Sequence, residues 1–261
     1  MRVSLIITTY NRPDALLLVL RSIEGQMKLP DEVIIADDGS DRESQKLITN
    51  FRQSSNLNII HSWQEDKGFR AAKSRNKAIS KSNGDYIVLI DGDMILHPKF
   101  INDHINQAQL SYFVQGSRVL LTQDKTNQTL DQQKIKFSLL SNGLQNRKNA
   151  FHSNILAKLF SNKRNYLRGI RTCNIGFYKQ DCINVNGFNN EFEGWGREDS
   201  EFIMRLLNSG INRKNIRFNA IQFHLWHNEN IRDSLEKNNA ILQDTINNHS
   251  QWCNNGIDSY L

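Results

Sequence analysis

Proline and cysteine are both scarce, with 3 of each in 261 residues. So little proline leaves helices and strands free to run unbroken over most of the chain. Cys173, Cys182 and Cys253 are odd in number and lack the paired spacing of a metal knuckle. They predict no disulfide framework and suit a reducing compartment. Long apolar runs are also missing. Stretches such as Ala15–Leu20 and Ile87–Ile90 fall far short of the ~20 residues a membrane-spanning helix needs. Met1-Arg2 leads straight into a strand-like segment, so no signal peptide is expected and a cytoplasmic location is.

Hydrophobic residues make up 38% of the chain and recur along most of it, which excludes disorder and allows a substantial core. Lys and Arg number 33 against 27 acidic residues, a net charge of +6. That balance suits an anionic partner such as a phosphate group, and it admits a peripheral place at the inner face of a membrane. Charge balance alone also fits a plain basic surface, so nucleic acid is not expected as a partner.

Val3–Thr8 is a β-branched apolar run, read as a buried strand. Pro13 then opens a helix in which Leu16, Leu17, Leu20, Ile23 and Met27 recur at helical spacing. A second strand, Glu32–Ala36, ends in Asp37-Asp38-Gly39-Ser40, and a short helix over Ser44–Phe51 precedes a third strand near Leu57–His61. Gly68-Phe69 opens a helix to about Ser82, and a fourth strand, Asp85–Ile90, ends in Asp91-Gly92-Asp93. Strands alternating with helices predict a mostly parallel central sheet flanked by helices. In such α/β sheets ligands bind beyond the carboxyl ends of the strands. Thr8–Arg12, Asp37–Asp41 and Asp91–Asp93 all fall there and are expected to converge on one crevice.

The stretch from about Thr122 to Arg168 is polar and weakly periodic, which predicts an inserted, partly helical or mobile region. Beyond it, Asn174–Tyr178 and Ala220–Trp226 read as strands and Asn186-Gly187-Phe188 as a turn. Ser200–Leu207 reads as a helix, as does Asn230–Asn247, a polar amphipathic one.

Asp91 and Asp93 would point to one face if the extended chain persisted through Gly92, which itself lets backbone approach a bulky ligand. Two carboxylates in a crevice suit a divalent cation that also holds phosphate oxygens; solvated turn residues are the alternative. Asp38 could accept from a ribose or base, or Asp37-Asp38 could form an Asx turn or cap. Tyr10 could stack on a base beside the Thr8 hydroxyl. Arg75 and Lys77 lie on the helix leading toward Asp91, where a guanidinium could offset phosphate charge. Gly194-Trp195-Gly196-Arg197-Glu198-Asp199 is the most unusual hexapeptide. Asp199 could simply cap the next helix. A loop that closes Trp195 over a sugar ring with a carboxylate beside it accounts for more of the parts. His224 and His227 are three apart and would face opposite sides of a straight strand, so both could serve one metal only if the chain turns there.

VSLIITTYNRPDALLLVLRSI, VIIADDGSD, GFRAAKSRNKAI and GDYIVLIDGDM resemble the N-terminal half of family 2 inverting glycosyltransferases. NIGFYKQDCINVNGFNNEFEGWGREDSEFIMRLLNSG with FHLWH is similar to a segment shared by β-1,4-galactosyltransferases and bacterial chondroitin-polymerase-type enzymes. The resemblance covers residues 2 to about 104 and 172 to about 228. It implies a single GT-A domain over 1–261, with a nucleotide-sugar half at 1–104, a variable insert at 105–171, an acceptor and catalytic half at 172–228 and a helical tail at 229–261.

By the same resemblance Thr8, Tyr10, Arg12, Asp38, Arg75, Asp91 and Gly92 surround the donor. Asp93 and His227, with His224, would hold Mn2+ or Mg2+. Asp199 would be the base, Glu198 an acceptor-hydroxyl partner, and Trp195 and Arg197 acceptor-loop residues. Arg197 stands where the galactosyltransferases carry Gly, and it could pair with an acidic or phosphorylated acceptor. The implied reaction moves a hexose or N-acetylhexosamine from a UDP-sugar to a glycan or lipid-linked acceptor, for bacterial surface polysaccharide or lipooligosaccharide. An Asp base at its reference pKa of ~3.9 would already be ionised at neutral pH. The alternatives are a sugar-nucleotide nucleotidyltransferase, disfavoured by the lack of a glycine-rich loop after the first strand, and a non-catalytic polyanion or glycan-binding module.

Overall fold

A computed structural model describes residues 1–228 and 233–261. In chain order the elements are β1 (Val3–Thr9), α1 (Pro13–Glu24), β2 (Glu32–Asp37), α2 (Arg42–Ser54), β3 (Ile59–Trp63), α3 (Ala71–Ser80) and β4 (Tyr86–Asp91). Then come β5 (Met94–Leu96), α4 (Phe100–Gln107), β6 (Tyr112–Gln115), β7 (Val119–Leu121), α5 (Gln123–Asp131), β8 (Leu144–Gln145), α6 (Asn154–Phe160) and β9 (Asn162–Lys163). Last are β10 (Asn174–Tyr178), α7 (Lys179–Asn184), α8 (Glu198–Asn208), β11 (Asn212–Asn215), β12 (Gln222–His224) and α9 (Leu235–Asn247).

The large sheet has the order β3-β2-β1-β4-β10-β6-β11-β9. The strands β3, β2, β1 and β4 pair in parallel, and β10 runs antiparallel between β4 and β6. Alternation along the central strands explains the layering. Leu5, Ile7, Val33, Ile35, Val88 and Ile90 bury one face under α1. Ile6, Ile34, Ile87 and Leu89 bury the other against α3 and α8. With both faces covered, the only exit for ligand-binding groups is the edge where strands end.

Several boundaries depart from the periodic pattern. The first helix stops at Glu24, and Met27 lies beyond it, exposed, its N–H donating to Pro98 O at 2.8 Å. The second helix starts early because Asp41 caps it, accepting from Ser44 N–H at 3.0 Å. The third strand begins two residues late, at Ile59, and the third helix is shorter than expected, with Arg70 at its N-cap. The strand expected over Ala220–Trp226 is confined to Gln222–His224, because Leu225 N–H turns to Asp93 O at 3.0 Å. Of the helix expected over Asn230–Asn247, Asn230 to Arg232 lie outside the described residues, and α9 spans Leu235–Asn247.

The expected insert is the largest difference. Residues 105–171 supply β6 and β9 to the large sheet, and β7 and β8 to a second sheet of order β5-β12-β7-β8. Strands of two to four residues are too short to show a period, so nothing local announces them. The second sheet matters to the site, because β5 and β12 pair antiparallel with His224 opposite Met94.

Candidate active site

The polar clusters at the strand ends do converge. They line one cleft of about 1040 Å³ that Asp93 and Asp199 share. Because β10 runs antiparallel to β4, with Asn174 opposite Ile90, its leading residues Thr172 and Cys173 reach the same edge.

The strand β4 ends at Asp91 and the chain turns through Gly92 and Asp93, so the extended chain does not persist, yet both carboxylates line the cleft. Gly92 N–H donates to Thr8 O at 2.7 Å, and a Cβ on Gly92 would lie 2.9 Å from Thr9 Oγ1. Glycine is needed there for the crossing of β1 and β4, whatever ligand approaches.

Asp93 Oδ2 lies 3.5 Å from His224 Nε2, 3.4 Å from His227 Nε2 and 3.3 Å from Arg12 Nη1. The chain leaves β12 at His224, and that bend brings a residue three positions later to the same side. One ligand atom from each of Asp93, His224 and His227 lies within 4.8 Å of the others. His227 Nδ1 sits 2.6 Å from Asn228 O, a carbonyl that can only accept, so Nδ1 donates there while Nε2 faces Asp93. Asp93 Oδ1 is buried without a hydrogen-bond partner among the described residues. Two imidazoles, a carboxylate and an unused buried oxygen form a donor set that fits a divalent cation such as Mn2+. Burial opposes the Asp93 charge, but His224, Arg12 and His227 hold its pKa below the usual carboxylate range. Arg12, expected beside the donor, lines the cleft and pairs there with this carboxylate.

Arg75 also lines the cleft, where it is buried and bridges three elements. Its Nη1 donates to Glu198 Oε1 at 3.2 Å, its Nε to Thr8 Oγ1 at 3.2 Å, and its Nη2 lies 3.7 Å from Asp91 Oδ1. Burial opposes the guanidinium charge, yet Glu198, Asp91 and Asp199 raise its pKa. Its charge is therefore committed to carboxylates rather than left free for phosphate. Lys77 stands apart from this group, its Nζ 5.8 Å from the Tyr260 ring centre. Burial pushes Asp91 up to about 6 against the pull of Arg75.

Asp199 is not a helix cap. The N-cap is Arg197, and Asp199 Oδ1 accepts from its neighbour Ser200, from N–H at 2.7 Å and from Oγ at 3.4 Å. Burial, with Glu198 alongside, pushes its carboxyl up to about 7, well above the reference value expected for it. The helix that carries it is held firmly. Glu201 accepts two bonds from Arg205, each 2.7 Å, deep in the core, and Thr245 Oγ1 joins Glu201 at 3.2 Å.

Asp37 and Asp38 divide the two roles considered for them. Asp37 accepts from Ser40 N–H at 2.8 Å and holds the His61 ring at 2.8 Å. Asp38 faces the cleft, accepting from Arg70 N–H at 2.6 Å and Gln64 Nε2 at 2.5 Å, while burial raises its pKa. Half-exposed Tyr10 donates to Asp66 Oδ2 at 2.9 Å. Trp195 sits in a loop where Gly194, Gly196 and Arg197 have φ of 72°, 109° and 75°. That loop is anchored: Gly194 N–H donates to Phe69 O at 2.9 Å, Asn238 Nδ2 to Gly196 O at 3.0 Å, and Arg197 Nε to Asn239 Oδ1 at 2.6 Å.

Arg118, Arg171 and Asn238 escaped the sequence reading. The first two line the cleft from segments with no pattern, and Asn238 acts through backbone carbonyls, so no local signal marked them.

Comparison with known proteins agrees with this architecture. The profile of Glycosyl transferase family 2 matches residues 4–179, and that of the N-terminal domain of galactosyltransferase matches residues 154–228. The chain therefore belongs to glycosyl transferase family 2, a family of sugar-transferring enzymes. Similar curated proteins include hyaluronan synthase of Pasteurella multocida, 29% identical over 79% of this chain, and chondroitin synthase of Escherichia coli, 27% identical over 79%. The chain spans only 23% and 32% of the lengths of those two proteins. Among solved structures, Staphylococcus aureus TarS 1–349 in complex with UDP aligns with a TM-score of 0.65 and 16% identity, covering 95% of this chain and 66% of that one. A mannosyltransferase from Pyrobaculum calidifontis in complex with GDP-Man and Mn2+ aligns at 0.58 with 15% identity, covering 86% and 56%. The fold is GT-A. Among the described residues no helix is long and apolar enough to cross a membrane.

Proposed function

We propose that this chain transfers a hexose or N-acetylhexosamine from a UDP-sugar to a hydroxyl of a glycan or lipid-linked acceptor, with inversion and with Mn2+ or Mg2+ bound. The observation that carries the reading is the shared cleft, lined both by the cluster of Asp93, His224 and His227 and by Asp199. In this reading 1–104 serves the donor and 172–228 the acceptor, within one catalytic unit over 1–261.

Tyr10 and Asp38 hold the nucleoside, Asp38 by accepting from the ribose or base. Asp93, His224 and His227 would hold the cation, which when bound supplies positive charge against the departing diphosphate. Asp199 takes the proton of the acceptor hydroxyl as that oxygen bonds to the anomeric carbon from the face opposite the leaving group. The bond from that carbon to the diphosphate oxygen breaks, and the electron pair leaves with the UDP. A single displacement turns a UDP-α-sugar into a β-linkage. A pKa near 7 suits Asp199 to this work, since a base matched to the working pH transfers protons best. Glu198, fixed by Arg75, orients the hydroxyl, and Trp195 and Arg197 face the acceptor. The product belongs to bacterial surface polysaccharide or lipooligosaccharide, made by an enzyme peripheral to the inner face of the membrane.

Calorimetric titration with UDP, with and without Mn2+, tests the reading. Mn2+ is expected to tighten UDP binding by about tenfold or more, and Asp93→Asn to abolish that gain. Equal UDP affinity with and without the metal contradicts the metal site, and no UDP affinity at all favours a non-catalytic glycan-binding module.

A further inference from the structure

The positive charge of the chain is not spread evenly. Residues 132–180 contain ten Lys or Arg and no Asp or Glu, so the remaining 23 cations face all 27 anions and the rest of the chain is net acidic. The same stretch carries large apolar side chains in water. On α6, Ile155 and Leu159 stand one turn apart at 74% and 70% exposure, and only Ala157 of that helix is buried. Phe151 and Phe160, both exposed, pack edge-on against Phe218, with ring centres 6.2 and 5.8 Å away.

The helix stays in place without a buried face through its backbone links. Ser153 caps it, accepting from Leu156 N–H at 3.3 Å, and Ser153 N–H donates to Phe218 O at 2.9 Å. Exposed Lys158 shares the helix, Lys163 follows on the edge strand β9, and Arg164 comes directly after it. Arg217, also exposed, joins them, its N–H donating to Ser161 Oγ at 3.3 Å. Isolated exposed apolar residues are ordinary, but an apolar ridge ringed by cations is not.

We propose that α6 and the adjoining β9 edge form a docking surface for a membrane rich in anionic headgroups. The cations match the headgroup charge, and Ile155, Leu159 and Phe160 enter the acyl boundary. A hydrated polyanion would satisfy the cations and leave the apolar ridge in water. A second copy docking through this same surface would set cation against cation. Ile170 and Arg171, a few residues beyond β9 in the same stretch, line the cleft. The surface deepens the peripheral-membrane part of the proposed function and does not depend on the catalytic assignments.

Co-sedimentation with vesicles tests it. The protein is expected to pellet with phosphatidylglycerol–phosphatidylcholine vesicles, to stay in solution with phosphatidylcholine alone, and to be released by high salt. Ile155→Ser with Leu159→Ser, and separately Lys158→Gln with Lys163→Gln and Arg164→Gln, should each weaken vesicle binding about tenfold or more. Both variants should keep the wild-type unfolding temperature and UDP affinity, since all five side chains lie outside the core and the cleft. Failure of the wild type to bind the anionic vesicles overturns the proposal. So does loss of binding in the charge variant alone, which would mark a polyanion site. Loss of UDP affinity in the wild type would instead strike the catalytic reading and leave this surface standing.

Discussion

Asp199→Asn is expected to reduce sugar transfer by about a thousandfold while leaving UDP affinity unchanged, because loss of a positioned base costs of order 10²–10⁴ in rate. The carboxyl is pushed up to about 7 by burial, so the wild-type rate should fall about tenfold per pH unit below that value and level off above it. The same shift has the opposite sign for stability. A carboxyl whose folded pKa exceeds its unfolded one disfavours the fold once pH rises through the interval between them, here from ~4 to about 7. Asn removes that charge, so at pH 8 the variant should unfold no earlier than the wild type. Initial rates across pH, with calorimetric unfolding of both proteins, check all three statements. Turnover near the wild-type level in the variant would move the base elsewhere.

Arg75→Met should produce the largest loss of stability in the cleft. The guanidinium is buried among Glu198, Asp91 and Thr8, with the Phe188 ring centre 5.4 Å away. Removing one member of a buried charge cluster leaves the others uncompensated, at about 3–5 kcal/mol. For a chain of this size that is a fall in melting temperature on the order of 10 °C. The stranded groups are carboxylates, which protonation relieves, so the loss should be larger at pH 8 than at pH 5. Unfolding followed at both pH values decides it. An unchanged melting temperature would mean that the neighbouring carboxylates do not depend on this guanidinium and that its role lies with bound phosphate.

The contrast between these two residues shows where sequence reading works. Asp199 was recognisable because a Gly-Trp-Gly run and two carboxylates sit together in the chain. The layers were recognisable because strands such as Val3–Thr9 and Tyr86–Asp91 are buried on both faces. Convergence of the polar clusters followed from topology, since parallel strands end on one edge. Arg75 as a bridge was not legible. Its partner Glu198 is 123 residues away, and Arg12 reaches Asp93 across 81 residues. Such pairings exist only once the sheet has formed. The turn after Asp91 depends on where β4 stops, and boundaries are set by tertiary contacts. The raised pKa of Asp199 depends on burial, which spacing does not reveal.

The central claim is that one cleft gathers a cation, a nucleotide and a base from three separated stretches of chain. Anomalous diffraction at the manganese edge, from crystals grown with UDP and Mn2+, tests it most directly. The account predicts one strong peak among Asp93, His224 and His227, touching the UDP diphosphate, with the nucleoside against Asp38 and Tyr10. A peak at other ligands, or UDP bound outside the cleft that contains Asp199, would contradict it.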